Sequence, residues 1–173
     1  MKNIFRYSNK AGFILAILTF ILNFNSLKAQ WIQTSGPTGG IVNCLAASGT
    51  KLFAGTNGNG VYISTNNGTN WTPANSGIEN SGVLDLAFSG QILFAGTYDG
   101  LFKSTNDGSN WTEVNIGLLS DYVTNIAVSG SKIYAGSVYS IYFSSDYGTS
   151  WINLNTITGT WALDISDTSL FFS

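Results

Sequence analysis

Four tryptophans spaced forty residues apart constrain this chain more than any other feature. They are Trp31, Trp71, Trp111 and Trp151. An eight-residue motif leads into the last three, starting at Ser64, Ser104 and Ser144, and a five-residue phrase (52–56, 93–97 and 133–137) lies upstream of each motif. A tandem repeat of this length is a small structural unit that buries its apolar face only against the next copy. The chain is therefore expected to fold as a row of similar units.

Each unit is predicted to contain four short strands. In the third copy these cover about 123–128, 132–135, 141–144 and 151–154, with glycine, serine, asparagine or aspartate between them. Those residue types favour tight turns, because glycine tolerates positive φ and short polar side chains bond to nearby backbone. Four strands per forty residues predict an all-β fold, a β-propeller of four-stranded antiparallel blades. A β-solenoid is the alternative, but its repeats are usually shorter and lack three tight hairpins.

The first strand of each unit alternates apolar residues with others. The apolar pairs are Leu45 and Ala47, Leu86 and Phe88, Ile126 and Val128, and Leu163 and Ile165. A period of two places each pair on one face of its strand. We expect these faces to pack against neighbouring sheets in all four copies.

The repeat count predicts an incomplete ring. Residues 30–173 hold about three and a half repeats, whereas closed propellers have about four to eight blades. Residues 31–35 correspond to the outermost strand of a blade whose other strands are missing. We interpret the chain as the front of a longer protein. If it ends at residue 173, its unpaired strand edges favour self-association.

Residues 1–29 have the layout of a secretory signal peptide. Lys2, Arg6 and Lys10 precede the apolar stretch 13–24, and the small Ala29 stands before the expected cut. A membrane anchor is the alternative, but spanning a bilayer takes about 20 apolar residues. The sequence predicts a secreted, periplasmic or cell-surface protein with no stable membrane span after cleavage, and residues 30–173 form its partial propeller.

Charge and composition exclude several functions for residues 30–173. Only Lys51, Lys103 and Lys132 are cationic, against nine Asp and Glu, and there is no arginine or histidine. Nucleic-acid binding needs a basic surface, so no nucleic-acid partner is expected. Without histidine, neither a histidine-activated nucleophile nor a histidine-ligated zinc site can form, and no cofactor or metal is predicted. The lone Cys44 has apolar neighbours, which predict that it is buried.

The eight-residue motif resembles the Asp-box, also called the bacterial neuraminidase (BNR) repeat. Residues 144–151 match Ser-x-Asp-x-Gly-x-x-Trp at every fixed position, and 64–71 and 104–111 match with Asn66 and Asn106 replacing the aspartate. The chain is thus similar to the propellers of photosystem-II-assembly-factor-like proteins, sortilin-type receptors, sialidases and family 74 xyloglucanases. The resemblance implies that the box residues are structural and lie away from any active site. They are Ser64, Asn66, Gly68, Trp71, Ser104, Asn106, Gly108, Trp111, Ser144, Asp146, Gly148 and Trp151.

The sequence predicts function less closely than fold. We expect a non-enzymatic interaction or scaffold module for a protein or glycan partner. Tyr98, Tyr122 and Tyr139 are candidate rings for stacking on a ligand, with Tyr147 a further loop tyrosine. Their alternative role is to cover apolar edges between blades.

Two other functions stay open. One is an N-terminal fragment of a glycoside hydrolase whose catalytic residues lie outside this chain. The other is a propeller that only positions other domains. No catalytic residue is predicted within the chain, and a sialidase in particular needs an arginine cluster that residues 30–173 lack.

Overall fold

The computed structural model describes residues 34–38, 40–79, 81–118, 122–154, 162–166 and 169–172. Every regular element within these ranges is a β-strand, which confirms the prediction of an all-β chain. The predicted signal peptide (1–29) and Trp31 lie outside the described residues.

The strands form four antiparallel sheets, and each sheet pairs its strands in chain order. Blade 1 contains β1 (Val42–Ser48), β2 (Lys51–Thr56), β3 (Val61–Ser64) and β4 (Thr72–Pro73). Blade 2 contains β5 (Val83–Ser89), β6 (Ile92–Thr97), β7 (Gly100–Ser104) and β8 (Thr112–Glu113). Blade 3 contains β9 (Asn125–Ser129), β10 (Lys132–Gly136), β11 (Ile141–Ser144) and β12 (Ile152–Asn153). The fourth sheet contains β13 (Leu163–Ser166) and β14 (Ser169–Phe172), so the predicted row of antiparallel blades is confirmed.

The two ends of the blades carry different loops, because successive strands run in opposite directions. The tips between second and third strands (57–60, 98–99 and 137–140) share one end with the segments that join one blade to the next. We call this end the hairpin face. The eight-residue motifs and the turns between first and second strands (49–50, 90–91 and 130–131) share the opposite end, the motif face.

The apolar core lies between the blades. The inner strands of consecutive sheets contact each other, β1 with β5, β5 with β9 and β9 with β13. Between blades 1 and 2 the buried side chains include Phe53, Val61, Ile78, Val83, Leu86, Leu93, Ala95 and Trp111. Between blades 2 and 3 they include Phe94, Leu101, Val114, Val123, Ile126, Ile133, Ala135, Tyr142 and Trp151. Full burial of one Leu or Phe side chain contributes roughly 1.5–3 kcal/mol, so these contacts hold consecutive blades together.

One apolar face of the inner strands is not covered. Leu86 packs against blade 1, and Ile126 packs against blade 2. The equivalent Leu45 on β1 is exposed, and so is Ala47. The expectation that this face packs in all four copies is therefore wrong for blade 1. The face points to the side where a preceding blade would stand, and the described residues contain no blade there.

Candidate binding face

The eight-residue motifs fold into three closely similar turns at the motif face. In blade 3 the Ser144 hydroxyl donates to Asp146 Oδ1 (2.7 Å) and accepts from the Gly148 amide (2.8 Å). The equivalent bonds are Ser64 to Asn66 (3.0 Å), Ser104 to Asn106 (2.9 Å), and the Gly68 and Gly108 amides to their serines (2.9 Å each). All three glycines have φ between 75° and 80°, a left-handed conformation that strains residues with a Cβ.

Asp146 accepts more hydrogen bonds than its asparagine counterparts. Its carboxylate accepts from the backbone amides of Thr149 (3.1 Å) and Ser150 (3.0 Å) and from the Ser150 hydroxyl (2.7 Å). Asn66 and Asn106 each accept from one backbone amide, at 2.9 Å. The Ser150 hydroxyl, then the Ser150 amide and the Ser144 hydroxyl, lower the pKa of Asp146 to about 2. The ionised carboxylate is thus tied into the turn.

The motif tryptophans connect neighbouring blades. Trp111 Nε1 donates to the carbonyl of Ala74 (2.9 Å), and Trp151 Nε1 donates to the carbonyl of Val114 (2.8 Å). Each acceptor directly follows the outermost strand of the preceding blade. Trp71 Nε1 is also buried, but it has no hydrogen-bond partner.

A hollow of about 400 Å³ between blades 1 and 2 contains two carboxylates, Glu79 and Asp107. Both are already engaged. Glu79 Oε2 accepts from the Gly77 amide at 2.9 Å, and Asp107 Oδ2 forms an ion pair with Lys51 Nζ at 2.6 Å. General acid–base catalysis requires a carboxylate positioned toward a bound substrate. These two carboxylates instead bind groups of the protein itself, the Gly77 amide and the Lys51 ammonium.

Asp85, which sequence reasoning does not single out, connects blades 2 and 3. Its two carboxylate oxygens accept from the amides of Leu86 (2.8 Å) and Ile126 (2.7 Å). Burial raises the pKa of Asp85, and the two amides oppose that rise. Cys44 lies nearby and is half-buried instead of fully buried; burial first, then Asp85, raises its pKa to about 12. At neutral pH the thiol is therefore protonated and a poor nucleophile.

Two of the candidate ligand-stacking tyrosines meet on the hairpin face. Tyr98 occupies the β6–β7 tip, and Tyr122 lies in the segment that joins blade 2 to blade 3. Their ring centroids are 5.5 Å apart with an interplanar angle of 69°, an edge-to-face pair. The Tyr98 ring also lies over Gly82, where any Cβ would collide with it. Because Gly82 has no Cβ, the Tyr98 ring can pack directly against the backbone at this position.

The β6–β7 tip is held rigidly by its own polar groups. The Thr97 hydroxyl donates to the Gly100 carbonyl (2.9 Å) and accepts from the Asp99 amide (3.0 Å). Asp99 Oδ2 accepts from the Ser81 hydroxyl (2.9 Å) in the segment that joins blades 1 and 2. These bonds fix the backbone on both sides of Tyr98, so its exposed ring is presented in a defined position.

Tyr139 and Tyr147 lie at opposite ends of blade 3. Tyr139 occupies the β10–β11 tip on the hairpin face and is exposed, as is its neighbour Val138. Tyr147 lies within the eight-residue motif on the motif face. The structure therefore brings Tyr98 and Tyr122 into contact, places Tyr139 on the same face, and separates Tyr147 from them.

Within the described ranges, no group of three or more His, Cys, Asp or Glu side chains is arranged to hold a metal ion. No helix in the same part of the chain is long and apolar enough to cross a membrane.

No protein-family model and no curated protein matches this chain. Solved structures do resemble it. The computationally designed Ika4 protein has a TM-score of 0.64 at 13% identity, covering 83% of this chain and 90% of its own. YCF48 from Cyanidioschyzon merolae has a TM-score of 0.60 at 18% identity, covering 73% of this chain and 40% of its own. An ancestral GH74 enzyme has a TM-score of 0.61 at 20% identity, covering 82% of this chain and 23% of its own.

The chain thus spans less than half of YCF48 from Cyanidioschyzon merolae and less than a quarter of the GH74 enzyme. A YCF48 structure bound to D1 peptide has a TM-score of 0.56 at 14% identity, covering 83% of this chain and 50% of its own. At such identities the likeness concerns the fold alone. The architecture and these structural neighbours together show that the described chain is part of a β-propeller.

Proposed function

We propose that this chain is an exported Asp-box β-propeller that acts as a non-enzymatic binding module, with its hairpin face as the site for a protein or glycan ligand. The observation that carries the proposal is the exposed edge-to-face pair of Tyr98 and Tyr122 on that face, in which Tyr98 is held by the hydrogen bonds of its turn. Tyrosine offers a flat apolar ring and a polar hydroxyl at little entropic cost, which suits both protein surfaces and sugars.

The assignment of the motifs as Asp-boxes is supported by their hydrogen bonds. In each turn the serine hydroxyl links the Asn or Asp side chain to the glycine amide. The polar side chains of the motifs are already hydrogen-bonded within their own turns. This favours the opposite end of the blades, the hairpin face, as the binding site.

The ordered β6–β7 tip at the hairpin face also supports a binding function. A ring that is ordered before binding loses little conformational freedom in the complex. Tyr98 is fixed by the hydrogen bonds of the turn that contains Asp99 and by packing of its ring against Gly82. Among the structural neighbours, the YCF48 complex with D1 peptide is an example of a propeller with a peptide ligand.

The alternative, a fragment of a glycoside hydrolase, is supported by the GH74 neighbours. Hydrolysis requires two facing carboxyl groups. Asp85 has the raised pKa expected of an acid, but both its oxygens accept backbone amides at the seam between two blades. The contacts of Asp85 therefore favour a structural role for this carboxylate over a catalytic one.

The test begins with a peptide array and a glycan array probed with the purified chain. For a ligand found in either array, Tyr98→Ala and Tyr122→Ala should each weaken binding about fivefold or more, since removing an important interface side chain costs over about 1 kcal/mol. The matched control is Tyr147→Ala, because Tyr147 is 44% exposed and Tyr98 is 42% exposed. Unchanged affinity in both hairpin-face variants would exclude the proposed site.

A glycosidase panel tests the alternative on the same protein. Hydrolysis of any glycan by the purified chain, abolished by one Asp or Glu substitution, would overturn the non-enzymatic proposal.

A further inference from the structure

A polar hollow of about 270 Å³ opens between blades 1 and 2 at the motif face, and we call it the seam hollow. Blade 1 contributes Ser48 and Lys51 to its lining, and blade 2 contributes Phe88, Gln91, Thr105 and Asp107. Thr105 and Asp107 stand at variable positions of the eight-residue motif, so they are not among the residues that tie its turn. The hollow is therefore formed by two neighbouring blades that the structure describes on both sides.

The charged pair of the seam hollow occurs in one seam only. Lys51 Nζ and Asp107 Oδ2 are 2.6 Å apart. Between blades 2 and 3 the same repeat positions hold Ile92 and Tyr147, and Ile92 packs against the apolar core. In a repeat protein the residues that build the fold recur from copy to copy. The ion pair is therefore not something that packing of one blade on the next requires.

The seam hollow also contains hydrogen-bonding groups that the blades do not use. Ser89, the repeat equivalent of Ser48, donates to the Gly130 carbonyl across the next seam at 2.6 Å. In the part of the chain that the structure describes, the side chains of Ser48, Gln91 and Thr105 have no such partner. Hydroxyl and amide side chains can each donate and accept. A ligand in the hollow therefore meets both kinds of group.

The apolar part of the lining is Phe88. Its ring is half-buried and packs edge-to-face on Phe53, with centroids 5.4 Å apart and an interplanar angle of 65°. Phe53 is fully buried, so the Phe88 ring is anchored in the core. The equivalent residues of blades 1 and 3, Ala47 and Val128, are not aromatic. An aromatic surface beside a few polar groups is the usual lining of a small-molecule site.

The charges of the lining sum to zero, and this favours a neutral ligand. A charged ligand would compete with Lys51 or Asp107 for its existing partner. A hydroxyl group can bond to either residue without breaking the pair, because it donates to a carboxylate and accepts from an ammonium. Such charge-assisted hydrogen bonds are stronger than those between neutral groups. A hydroxyl-rich neutral molecule, such as a sugar, therefore suits the seam hollow.

The surroundings of Asp107 indicate a ligand of more than one unit. Asp107 also lines the hollow of about 400 Å³ that contains Glu79, so the two hollows adjoin at this residue. Sites for drug-sized ligands measure about 300–1,000 Å³. The seam hollow is slightly smaller than this range and suits a single sugar unit, and the next unit of a chain would lie in the larger hollow.

We propose that the seam between blades 1 and 2 is a ligand site that binds consecutive units of a neutral oligosaccharide, with Lys51, Gln91 and Asp107 as its main hydrogen-bonding groups. The site lies at the opposite end of the blades from the hairpin face. It does not depend on Tyr98 or Tyr122.

The first experiment titrates the purified chain with neutral sugars in a calorimeter. The probes are the monosaccharides and β-linked tetrasaccharides of glucose, xylose, mannose and galactose, at up to about 10 mM so that millimolar affinity is detected. At least one tetrasaccharide should bind, and more tightly than its monosaccharide. Oligogalacturonates are the charged comparison. Binding of these alone, or of no probe, would overturn the proposal.

The second experiment repeats the titration with Lys51→Ala and Gln91→Ala. Each should weaken binding about fivefold or more, the effect of losing one hydrogen bond to the ligand. Lys132→Ala is the matched control, because Lys132 holds the repeat position of Lys51 in blade 3 and is exposed. It should bind as wild type does. Circular dichroism and denaturation midpoints would verify that all three variants keep the fold, and equal affinity in the two seam variants and the control would refute the site.

Tyr98→Ala separates this site from the function proposed above. Loss of oligosaccharide binding in Tyr98→Ala, with binding kept in Lys51→Ala and Gln91→Ala, would assign the sugar to the hairpin face and overturn the seam site. The reverse pattern would support the seam site and leave the hairpin face to be judged by its own ligand.

Discussion

At the scale of single residues, the three eight-residue motifs provide an internal comparison of aspartate with asparagine. Both side chains accept the serine hydroxyl and tie the turn. Only Asp146 also carries a charge, and its pKa is lowered to about 2 by the hydroxyl and amide of Ser150 and by Ser144. The asparagine side chains of two turns do not titrate, whereas the hydrogen bonds that Asp146 accepts in the third turn weaken when its carboxylate is protonated.

Acid should destabilise wild type more than Asp146→Asn. A carboxyl group whose folded pKa lies below its ordinary 3.8 stabilises the fold above that pH, and the contribution is lost as pH falls from about 4 toward 2. Denaturant titrations of both proteins at pH 7, 4 and 2 would measure the difference. Asp85 acts in the opposite sense, because ionisation of a carboxyl group with a raised pKa weakens the fold as pH rises. Both proteins contain Asp85, so its contribution cancels when they are compared at the same pH.

Parallel pH profiles for wild type and Asp146→Asn would contradict this assignment. The reciprocal variant Asn106→Asp serves as a second check, because it should introduce acid sensitivity into the turn of blade 2.

At the scale of elements, the second strand of each blade must leave room for the blade that follows. A Cβ added to Gly96 on β6 would lie 2.7 Å from the Val123 carbonyl oxygen and 3.0 Å from its Cγ1. The Val123 amide in turn donates to the Thr97 carbonyl at 3.0 Å. The close approach of these backbones is therefore part of the contact between blades 2 and 3.

Gly96→Ala should destabilise the fold by about 1–3 kcal/mol, the usual cost of forcing extra volume into a packed core. The obstacle is a backbone oxygen, which cannot move without shifting the next blade. Gly40→Ala is the control, because its Cβ would meet the end of a side chain, Asn59 Nδ2, at 3.3 Å, and would lie no closer than 3.7 Å to a backbone atom. Equal denaturation midpoints for the two variants would mean that blades 2 and 3 are packed less closely than the structure indicates.

At the scale of the whole molecule, the proposed export depends on residues 1–29. The positive start, apolar stretch and Ala29 of this segment match the expected layout of a secretory signal peptide. Removal of residues 1–29 also deletes four of the seven cationic side chains, Lys2, Arg6, Lys10 and Lys28.

Expression in a bacterial host should yield an exported chain that begins at Gln30, which N-terminal sequencing and intact mass would identify. Ala29→Phe should block the cut, because the position before it requires a small side chain. Recovery of the uncut 18.5 kDa wild-type chain from the membrane fraction would instead support the anchor alternative.

Much of the fold was predictable because its causes are local. Strand 141–144 of the third copy is found as predicted, while the first strand begins at Asn125 instead of residue 123. Glycines and short polar residues define the turns by themselves, and the alternation of apolar residues defines two faces for each inner strand. The tyrosines at loop tips were also recognisable, since the repeat shows where the loops are.

The sequence by itself determined the repeat, the four strands of each blade and the position of every motif turn, because these depend on backbone preferences within a few residues. Only the tertiary structure decided that Tyr98 contacts Tyr122, that Asp85 binds the amide of Ile126, and that Leu45 is exposed although Leu86 is buried. Each of these contacts and exposures depends on residues that lie on different elements of the fold. It is set by how closely one blade packs on the next, a quantity that no local pattern records.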